Sequence, residues 1–479
     1  MLTILGKHRS TCEGPTRRQL LQAGGAGLLG LSLPKLMAAE SGQSGTSGRA
    51  KSVIFLFLYG GPSQLETFDL KPTAPQKIRG PFQPIASRTP GLQICEHLPR
   101  TAAVSEKFCV VKTMTHTYND HSGAGHYIQT GHRWQIPIRG GFSATRKDWP
   151  SMGSVVEHVS QRTQAATGRD LPNYVVLPNW LGGLQEMGQY RRPGEYAGWL
   201  GSGYDPLTTN IQKRNLTDNP YWRDCTDEEL KFEIQGLVGD RALTLDRLHR
   251  RRSLLEQFDD EHKVVERSPA ATAYNEYRQR ALDLVTSDRT RHALDIRREP
   301  ALLRDRYGRH LYGQSCLMAR RLVEAGVRFV TVHYDCVDGY SWDSHRNSED
   351  LQKFLIPTLD QALAALLTDL DERGLLDETL VVALGEMGRE PKANGTWGRG
   401  HWSTLFPALL AGAGIRGGTV YGETDGDAAY AVEKPTSPED LAKTIYHALG
   451  IDPELRLKDA QGRPTHMVEG GQPVLDLFG

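Results

Sequence analysis

Residues 376–402 constrain the fold more than any other part of this 479-residue chain. They begin with an apolar, β-branched run at 380–384, which is typical of a buried strand in a parallel sheet. Gly385 ends the run, and Glu386 follows it directly. Ligands of open α/β sheets bind beyond the carboxyl ends of the strands. Glu386 and the later His401 are therefore candidate metal ligands; the alternative is a solvated carboxylate and an ordinary loop histidine.

Two further apolar runs are each followed by side chains that bind metals. Residues 52–59 are predicted to be the first strand, and Glu66 and Asp69 come soon after it. These two carboxylates are candidate metal ligands by the same rule. The alternative for Asp69 is that it initiates a turn before Leu-Lys-Pro.

The strand predicted at 327–333 is followed by Asp343 and His345. The carboxyl ends of parallel strands lie at one edge of a sheet, so we expect these two residues, Glu386 and His401 to meet in one crevice. Carboxylates and imidazoles together suit a divalent metal, and Zn, Mn, Ca and Mg all stay open as its identity.

A histidine-rich segment forms another candidate site. His116, His121, His126 and His132 fall within a short window in which a loop is predicted to lead into a helix near Ser122. The start of such a helix can offer backbone N–H groups to an oxyanion. The alternative is that these histidines bond loop carbonyls and hold the segment together.

The order of the remaining elements predicts one α/β domain at residues 51–479. The strand–helix–strand unit at 327–384 is a right-handed parallel crossover, and helices are expected on both faces of a mostly parallel sheet. Further strands are predicted at 108–112, 174–177 and 406–410. Helices are predicted at 316–325, 351–373 and 438–449, the last with Ser437 as N-cap. Residues 226–309 have the pattern of charged helices, which predicts a helical insertion outside the sheet.

The amino-terminal residues predict export. Arg17-Arg18 precedes a Gly/Ala-rich apolar stretch and a small-residue site, so residues 1–39 are typical of a twin-arginine signal peptide. Residues 40–50 are a flexible linker. The apolar stretch is too short and too rich in glycine for a stable membrane span. We expect a periplasmic or extracellular protein; the alternative is a disordered terminus with two chance arginines.

The charge balance and the cysteine spacing bear on which partners and metal sites the chain can have. The 57 basic and 57 acidic side chains balance, which gives no indication of a nucleic acid partner. None of the six cysteines stands in a CxxC pair, so buried free thiols are expected rather than a thiolate metal site. Nothing in the sequence predicts the oligomeric state.

The chain is identified as a member of the bacterial family known as domain of unknown function 1501. The segments that carry this resemblance span most of the sequence and are TRRQLL, GGPSQLETFDLKP, the stretch 116–131, ARRLVEAGVRFVTV, WDSH and GEMGRxPKxNG…GRxHW…LLAGAGIRGG. That family is similar to the superfamily of alkaline phosphatases, sulfatases and cofactor-independent phosphoglycerate mutases. The resemblance implies an alkaline phosphatase-like three-layer sandwich.

The resemblance also implies roles for particular residues. Glu386 takes the place of a metal-binding aspartate of sulfatases, and His401 resembles a late metal-binding histidine of phosphatases. Asp343 and His345 lie where phosphatases and mutases bind one metal. The segment HSGAGHYIQTG resembles the sulfatase nucleophile motif. The first strand departs from the pattern because it ends in Tyr-Gly-Gly rather than aspartate, so that Glu66 or Asp69 would have to substitute.

These features favour an exported, metal-dependent hydrolase of sulfate or phosphate esters, with a small-molecule or glycan ester as substrate. In the nucleophile motif Ser122 is the hydroxyl next to His121, and either His121 or His126 is its base or a metal ligand. Arg133, Arg389 and Arg399 would bind the anionic group. The alternatives are a degenerate, non-catalytic member that binds an anionic glycan or phosphoester, and a structural envelope protein.

Overall fold

The computed structural model describes residues 49–134, 143–163, 171–178, 192–210, 214–215, 218–234, 287–334 and 342–479. The predicted signal peptide, nearly all of the predicted linker and most of the predicted insertion at 226–309 lie outside these residues. They stay predictions.

Strands occur along the whole of the described part of the chain. The strands are β1 (Ser52–Phe57), β2 (Pro84–Ala86), β3 (Gln93–Cys95), β4 (Phe108–Met114), β5 (Tyr174–Leu177), β6 (Leu207–Asn210), β7 (Glu233–Ile234), β8 (Phe329–His333), β9 (Thr379–Leu384), β10 (Gly388–Arg389), β11 (His401–Trp402), β12 (Phe406–Ala411), β13 (Thr419–Tyr421), β14 (Glu423–Thr424), β15 (Ala431–Glu433), β16 (Arg456–Lys458) and β17 (Pro464–His466).

Helices lie between several of these strands. They are α1 (Gln76–Arg79), α2 (Pro99–Ala102), α3 (His121–Thr130), α4 (Met152–Thr163), α5 (Asp288–Leu294), α6 (Ala301–Tyr307), α7 (Leu311–Glu324), α8 (Ile356–Glu372) and α9 (Pro438–Ala448). One π-helical turn, Leu351–Leu355, precedes α8 and completes the helix predicted at 351–373. The Ser437 side chain accepts from the Asp440 backbone N–H, which confirms the predicted N-cap.

Nine strands form the central sheet, in the order β13-β4-β12-β9-β1-β8-β5-β6-β7. Strand β1 pairs in parallel with both β8 and β9. All the strands run in the same direction except β12 and β7, which are antiparallel to their neighbours. The carboxyl ends of β1, β8 and β9 therefore meet at one edge of the sheet, where the candidate ligands follow.

Helices cover both faces of this sheet. Alternate residues of β1 point to opposite faces because the side-chain period of a strand is two. Ile54 and Leu56 pack in a core that includes α7 and α8. Val53 and Phe55 pack on the other face, in a core that includes residues of α4 and α9. The predicted three-layer α/β sandwich with a mostly parallel sheet is confirmed.

The structure corrects one expectation about the sheet. The stretch 226–309 was expected to add no strand, yet its residues Glu233–Ile234 form β7 at the sheet edge. A two-residue strand carries too little periodicity to be recognised in a charged sequence. The later part of the same stretch that is described contains α5 and α6.

Two smaller expectations concern thiols and membranes. Cys95, Cys109, Cys225 and Cys316 are buried free thiols, as predicted. Across the described residues, no helix combines the length and apolarity needed to span a bilayer.

Candidate metal centre

The carboxylate of Asp343 lies at the middle of a cluster of histidines at the carboxyl edge of the sheet. Its Oδ1 atom is 3.0 Å from His345 Nε2 and 3.2 Å from His401 Nε2. Its Oδ2 atom is 3.2 Å from His121 Nε2. The Arg389 guanidinium approaches Oδ1 at 2.5 Å. Three of the four residues predicted to meet in one crevice, Asp343, His345 and His401, therefore lie together at this edge of the sheet.

Different elements deliver these side chains to one place. His121 is the first residue of α3, which begins where the segment after β4 turns into helix. His401 lies in β11, which pairs with β10 so that His401 stands opposite Arg389. Because β12 is antiparallel to β9, its amino end lies at the carboxyl edge of the parallel strands. The hairpin before β12 therefore returns His401 to the site.

Glu386 orients His121 from behind. Its carboxylate is fully buried, and Oε1 contacts His121 Nδ1. Both carboxylate oxygens accept from the Gly60 N–H, at 2.9 and 3.1 Å. Gly60 has φ +110°, and a Cβ there would lie 2.6 Å from Asp343 N. Because Gly60 has no side chain, its N–H can bind the Glu386 carboxylate while the Asp343 backbone approaches closely. The side chain of an aspartate at this position would fill the space that Asp343 occupies.

A backbone carbonyl orients His401 in a similar way. Its Nδ1 atom donates to Asn119 O at 2.8 Å, since a carbonyl only accepts. The Asn119 side chain is fixed in turn by the Ser403 N–H, at 2.8 Å from Oδ1. His401 Nε2 therefore presents a lone pair, and His345 Nε2 lies 2.9 Å from it.

This geometry fits a cation. The donor atoms of His121, Asp343 and His401 all lie within 4.8 Å of one another. Bonds of about 2.1 Å to one ion place neighbouring ligand atoms roughly 2.9–3.4 Å apart, which includes the separations seen around Asp343. Within the described residues, His121 Nε2 is a buried atom that makes no well-formed hydrogen bond. Imidazole nitrogens with a carboxylate oxygen are a donor set for Zn²⁺ or Mn²⁺.

The pKa shifts of His121 and Asp343 also favour a positive charge at this site. Burial lowers the pKa of His121, but its contacts with the carboxylates of Asp343 and Glu386 outweigh burial and raise the pKa to about 9. Burial raises the pKa of Asp343, but His121 and His401 outweigh it and hold the pKa well below the usual range. Metal ions and protons compete for such ligands.

Two predicted site residues, Glu66 and Arg399, bind each other instead. Arg399 Nε donates to Glu66 Oε1 at 3.0 Å, and Arg399 Nη2 donates to Ile78 O at 2.9 Å. Both side chains are buried. We keep neither Glu66 as a metal ligand nor Arg399 as a substrate-binding residue, because each neutralises the other inside the protein.

Asp69 is also engaged away from the histidine cluster. Its Oδ1 atom is 3.2 Å from Lys71 Nζ and 3.0 Å from Lys112 Nζ, and its Oδ2 atom accepts from Thr424 Oγ1 at 2.6 Å. This buried carboxylate joins β4 and β14 to the segment after β1. Its predicted role as a metal ligand is not kept.

The predicted nucleophile segment forms α3, with the Asp120 side chain as its N-cap. Ser122 is buried in the first turn of α3. The Asp120 carboxylate accepts from the Gly123 N–H at 2.7 Å, so that a protein side chain already occupies the helix start that was expected to bind an oxyanion. Both ring nitrogens of His121 face carboxylates. The role of His121, as a base for Ser122 or as a metal ligand, stays a prediction.

The other histidines of this segment contact backbone carbonyls. His116 Nε2 lies 2.6 Å from Glu386 O, His126 Nδ1 lies 3.0 Å from His132 O, and His132 Nε2 lies 2.5 Å from Met467 O. The alternative interpretation of a packed, hydrogen-bonded segment is confirmed for these three. Arg133 is exposed, with its guanidinium 5.9 Å from the centre of the Tyr127 ring.

The family model described as protein of unknown function, DUF1501, matches residues 50–478. The chain belongs to this family. In this DUF1501 protein, the match covers every residue of the histidine cluster. No curated protein matches the chain.

Several solved structures resemble this DUF1501 chain loosely. The sulfatase PsFucS1 from Pseudoalteromonas sp. is 13% identical with a TM-score of 0.36, covering 92% of this chain and 73% of its own. The phosphonate monoester hydrolase SpPMH from Silicibacter pomeroyi is 12% identical with a TM-score of 0.37, covering 89% and 76%. The lipoteichoic acid synthase LtaP from Listeria monocytogenes is 11% identical with a TM-score of 0.37, also covering 89% and 76%. The fold assignment itself rests on the strand order.

Sequence reasoning missed two parts of the site. Gly60 holds Glu386, and the Gly-Gly pair at the end of β1 was its visible signal. Asn119 acts on His401 through its backbone carbonyl, which every residue type possesses, so no sequence signal marks it.

Proposed function

We propose that this protein is an exported, metal-dependent hydrolase of phosphate or sulfate esters. One observation carries the proposal: imidazole Nε2 atoms from three separate segments converge on Asp343, and two of those imidazoles are fixed through Nδ1. His121, Asp343, His345 and His401 would hold the ion. A divalent cation there supplies Lewis-acid catalysis and activates water for attack on an ester.

The charges around the site suit an anionic substrate once a cation is bound. Asp343 and Glu386 carry two negative charges, and Arg389 carries one positive charge. With neutral imidazoles, a divalent cation would leave the cluster with a net positive charge. The Asp343 and His345 side chains are 31% and 48% exposed, so that an anionic group can reach them from solvent.

A non-catalytic binder is the second candidate, and the position of Arg389 favours it. Its guanidinium lies against the carboxylate oxygen that both His345 and His401 approach. It also donates to the Gly61 carbonyl at 3.0 Å and is fully buried. A cation so close to Asp343 weakens the binding of a second metal there. A protein that binds metal and anion without turnover would have this arrangement.

Assays of Ser122→Ala and His121→Ala test the catalytic assignment. We expect Ser122→Ala to keep its hydrolysis of aryl phosphates or aryl sulfates within about threefold, since this hydroxyl is buried in the first turn of α3 and is not one of the proposed ligands. His121→Ala should lose about a hundredfold or more, because it removes a ligand. Rates are measured with Zn²⁺ or Mn²⁺ supplied. A large loss in Ser122→Ala would restore the serine as nucleophile, and metal binding without any wild-type turnover would favour the binder.

Replacing Arg17 and Arg18 by lysine tests export. The twin-arginine route reads this pair as an address, so we expect the variant to stay in the cytoplasm while the wild type reaches the periplasm or the medium. Cell fractionation with an antibody to the protein measures this. The matched control replaces another pair of consecutive arginines, Arg297 and Arg298, by lysine, and this variant should be exported normally. Normal export of the first variant would contradict the proposal.

A further inference from the structure

A groove of about 640 Å³ lies beside the candidate metal centre. We call it the groove; its walls include Asn119, Tyr127, Arg133, Ser403, Glu439 and Glu469. The volume is in the range of sites that bind small organic molecules. Hydroxyl and charged groups line much of it, in contrast to the mostly apolar lining of such sites.

The groove and the metal centre share a wall. Asn119 lines the groove, and its carbonyl accepts the hydrogen bond from His401 Nδ1. Ser403 also lines the groove, and its N–H fixes the Asn119 side chain. A molecule in the groove therefore contacts the segment that orients a proposed metal ligand.

Glu439 gives the groove an acceptor that points to a donor on the ligand. Its Oε1 atom accepts from the Tyr127 hydroxyl at 2.6 Å. Its Oε2 atom is buried and has no hydrogen-bond partner among the residues that the structure describes. A buried carboxylate oxygen without a donor is costly. An N–H or O–H group of a ligand would satisfy it.

The charges of the groove select against anions. Glu439 and Glu469 are two carboxylates, and Arg133 is the one guanidinium among the residues lining the groove that the structure describes. The groove thus has a net negative charge, opposite to that expected at a metal-loaded centre.

The wall that carries the second carboxylate is closely packed. Gly471, two residues after Glu469, has φ +63°, and a Cβ there would lie 2.9 Å from Asp440 N. The Gln472 N–H donates to Asp440 Oδ1 at 2.7 Å, which holds this loop against the first turn of α9, where Glu439 lies. The two carboxylates therefore stand on segments packed against each other.

We propose that the groove binds a hydroxylated group that carries an amine, of the kind found in amino sugars. Its ammonium group lies between Glu439 and Glu469, and its hydroxyls face the serine and threonine side chains of the walls. This inference rests on the proposed function: the amine-bearing group is the organic part of the ester, and the anionic part of the ester lies at the metal centre.

Titration of the full chain with three sugars tests this inference. Glucosamine, glucose and glucuronate are titrated calorimetrically into protein kept metal-free with EDTA, near pH 7. We expect glucosamine to bind tightest, glucose about tenfold more weakly and glucuronate more weakly still, because one ammonium–carboxylate hydrogen bond is worth about a factor of ten or more. Equal affinities, tighter binding of glucuronate, or no binding of glucosamine would overturn the proposal.

Variants locate the binding. Glu469→Gln and Glu439→Gln should each weaken glucosamine binding about tenfold while leaving glucose binding little changed. Glu423→Gln, an exposed glutamate of β14 outside the groove, should leave both unchanged. If neither groove variant changes glucosamine binding, the groove is not the site. Because metal and turnover are absent, failure here leaves the hydrolase proposal standing, and failure of hydrolysis leaves the groove standing.

Discussion

Asp343→Asn should abolish divalent metal binding and reduce ester hydrolysis by on the order of 10³-fold. Its two oxygens face three imidazoles at 3.0–3.2 Å, so that this carboxylate is the common partner of the cluster. An amide has no charge to offer a cation, and the Arg389 guanidinium would then be an uncompensated buried charge beside the histidines. The loss of several kcal/mol of metal-based stabilisation corresponds to about this change in rate. Metal content after dialysis against Zn²⁺ or Mn²⁺, together with rates on aryl esters, measures both effects.

Asp69→Asn is the matched control for this variant. Asp69 is also a buried aspartate, but it is paired with Lys71 and Lys112 rather than with histidines. The control should lower the melting temperature and leave the metal stoichiometry unchanged. Full metal occupancy in Asp343→Asn would remove the histidine cluster from consideration as a metal centre. Loss of metal in a folded Asp69→Asn would restore the assignment that the structure led us to drop.

The part of the site that was predicted from sequence follows from one rule of sheet geometry. Asp343 and His345 follow β8, and Glu386 follows β9, both of which run parallel to β1. Parallel strands end at one edge, so residues that are distant in sequence were expected to meet there. His401 met them for a different reason, since it precedes an antiparallel strand whose amino end lies at the same edge.

The same rule failed for Glu66 and Asp69, although both follow β1. The rule places a residue near an edge but says nothing about which partner its side chain meets. Arg399 and Lys112, which are distant in sequence, approach these two carboxylates and neutralise them. Such long-range charge pairs have no local signature, so single-sequence reasoning assigned both carboxylates to a metal.

Glu386→Gln separates a metal ligand from a residue that orients one. The structure places the Glu386 carboxylate on His121 Nδ1 and on the Gly60 N–H. Carboxylates that hold a ligating histidine in this way typically change metal affinity about 10- to 100-fold when altered. We therefore expect Glu386→Gln to bind Zn²⁺ or Mn²⁺ about 10- to 100-fold more weakly than the wild type. At saturating metal it should reach the wild-type stoichiometry. Titration with a competing chelator measures both quantities.

Glu390→Gln is the matched control, because Glu390 lies close by in the sequence but is exposed. It should keep wild-type affinity. A lowered stoichiometry in Glu386→Gln at saturating metal would show that Glu386 is itself a ligand, as its position after the strand first indicated. Unchanged affinity would show that the His121–Glu386 contact does not orient the imidazole for metal. The buried Gly60–Glu386–His121 arrangement requires reduced affinity with full stoichiometry. The glutamine oxygen can still accept hydrogen bonds from Gly60 and His121, but it carries no negative charge to strengthen the imidazole as a metal ligand.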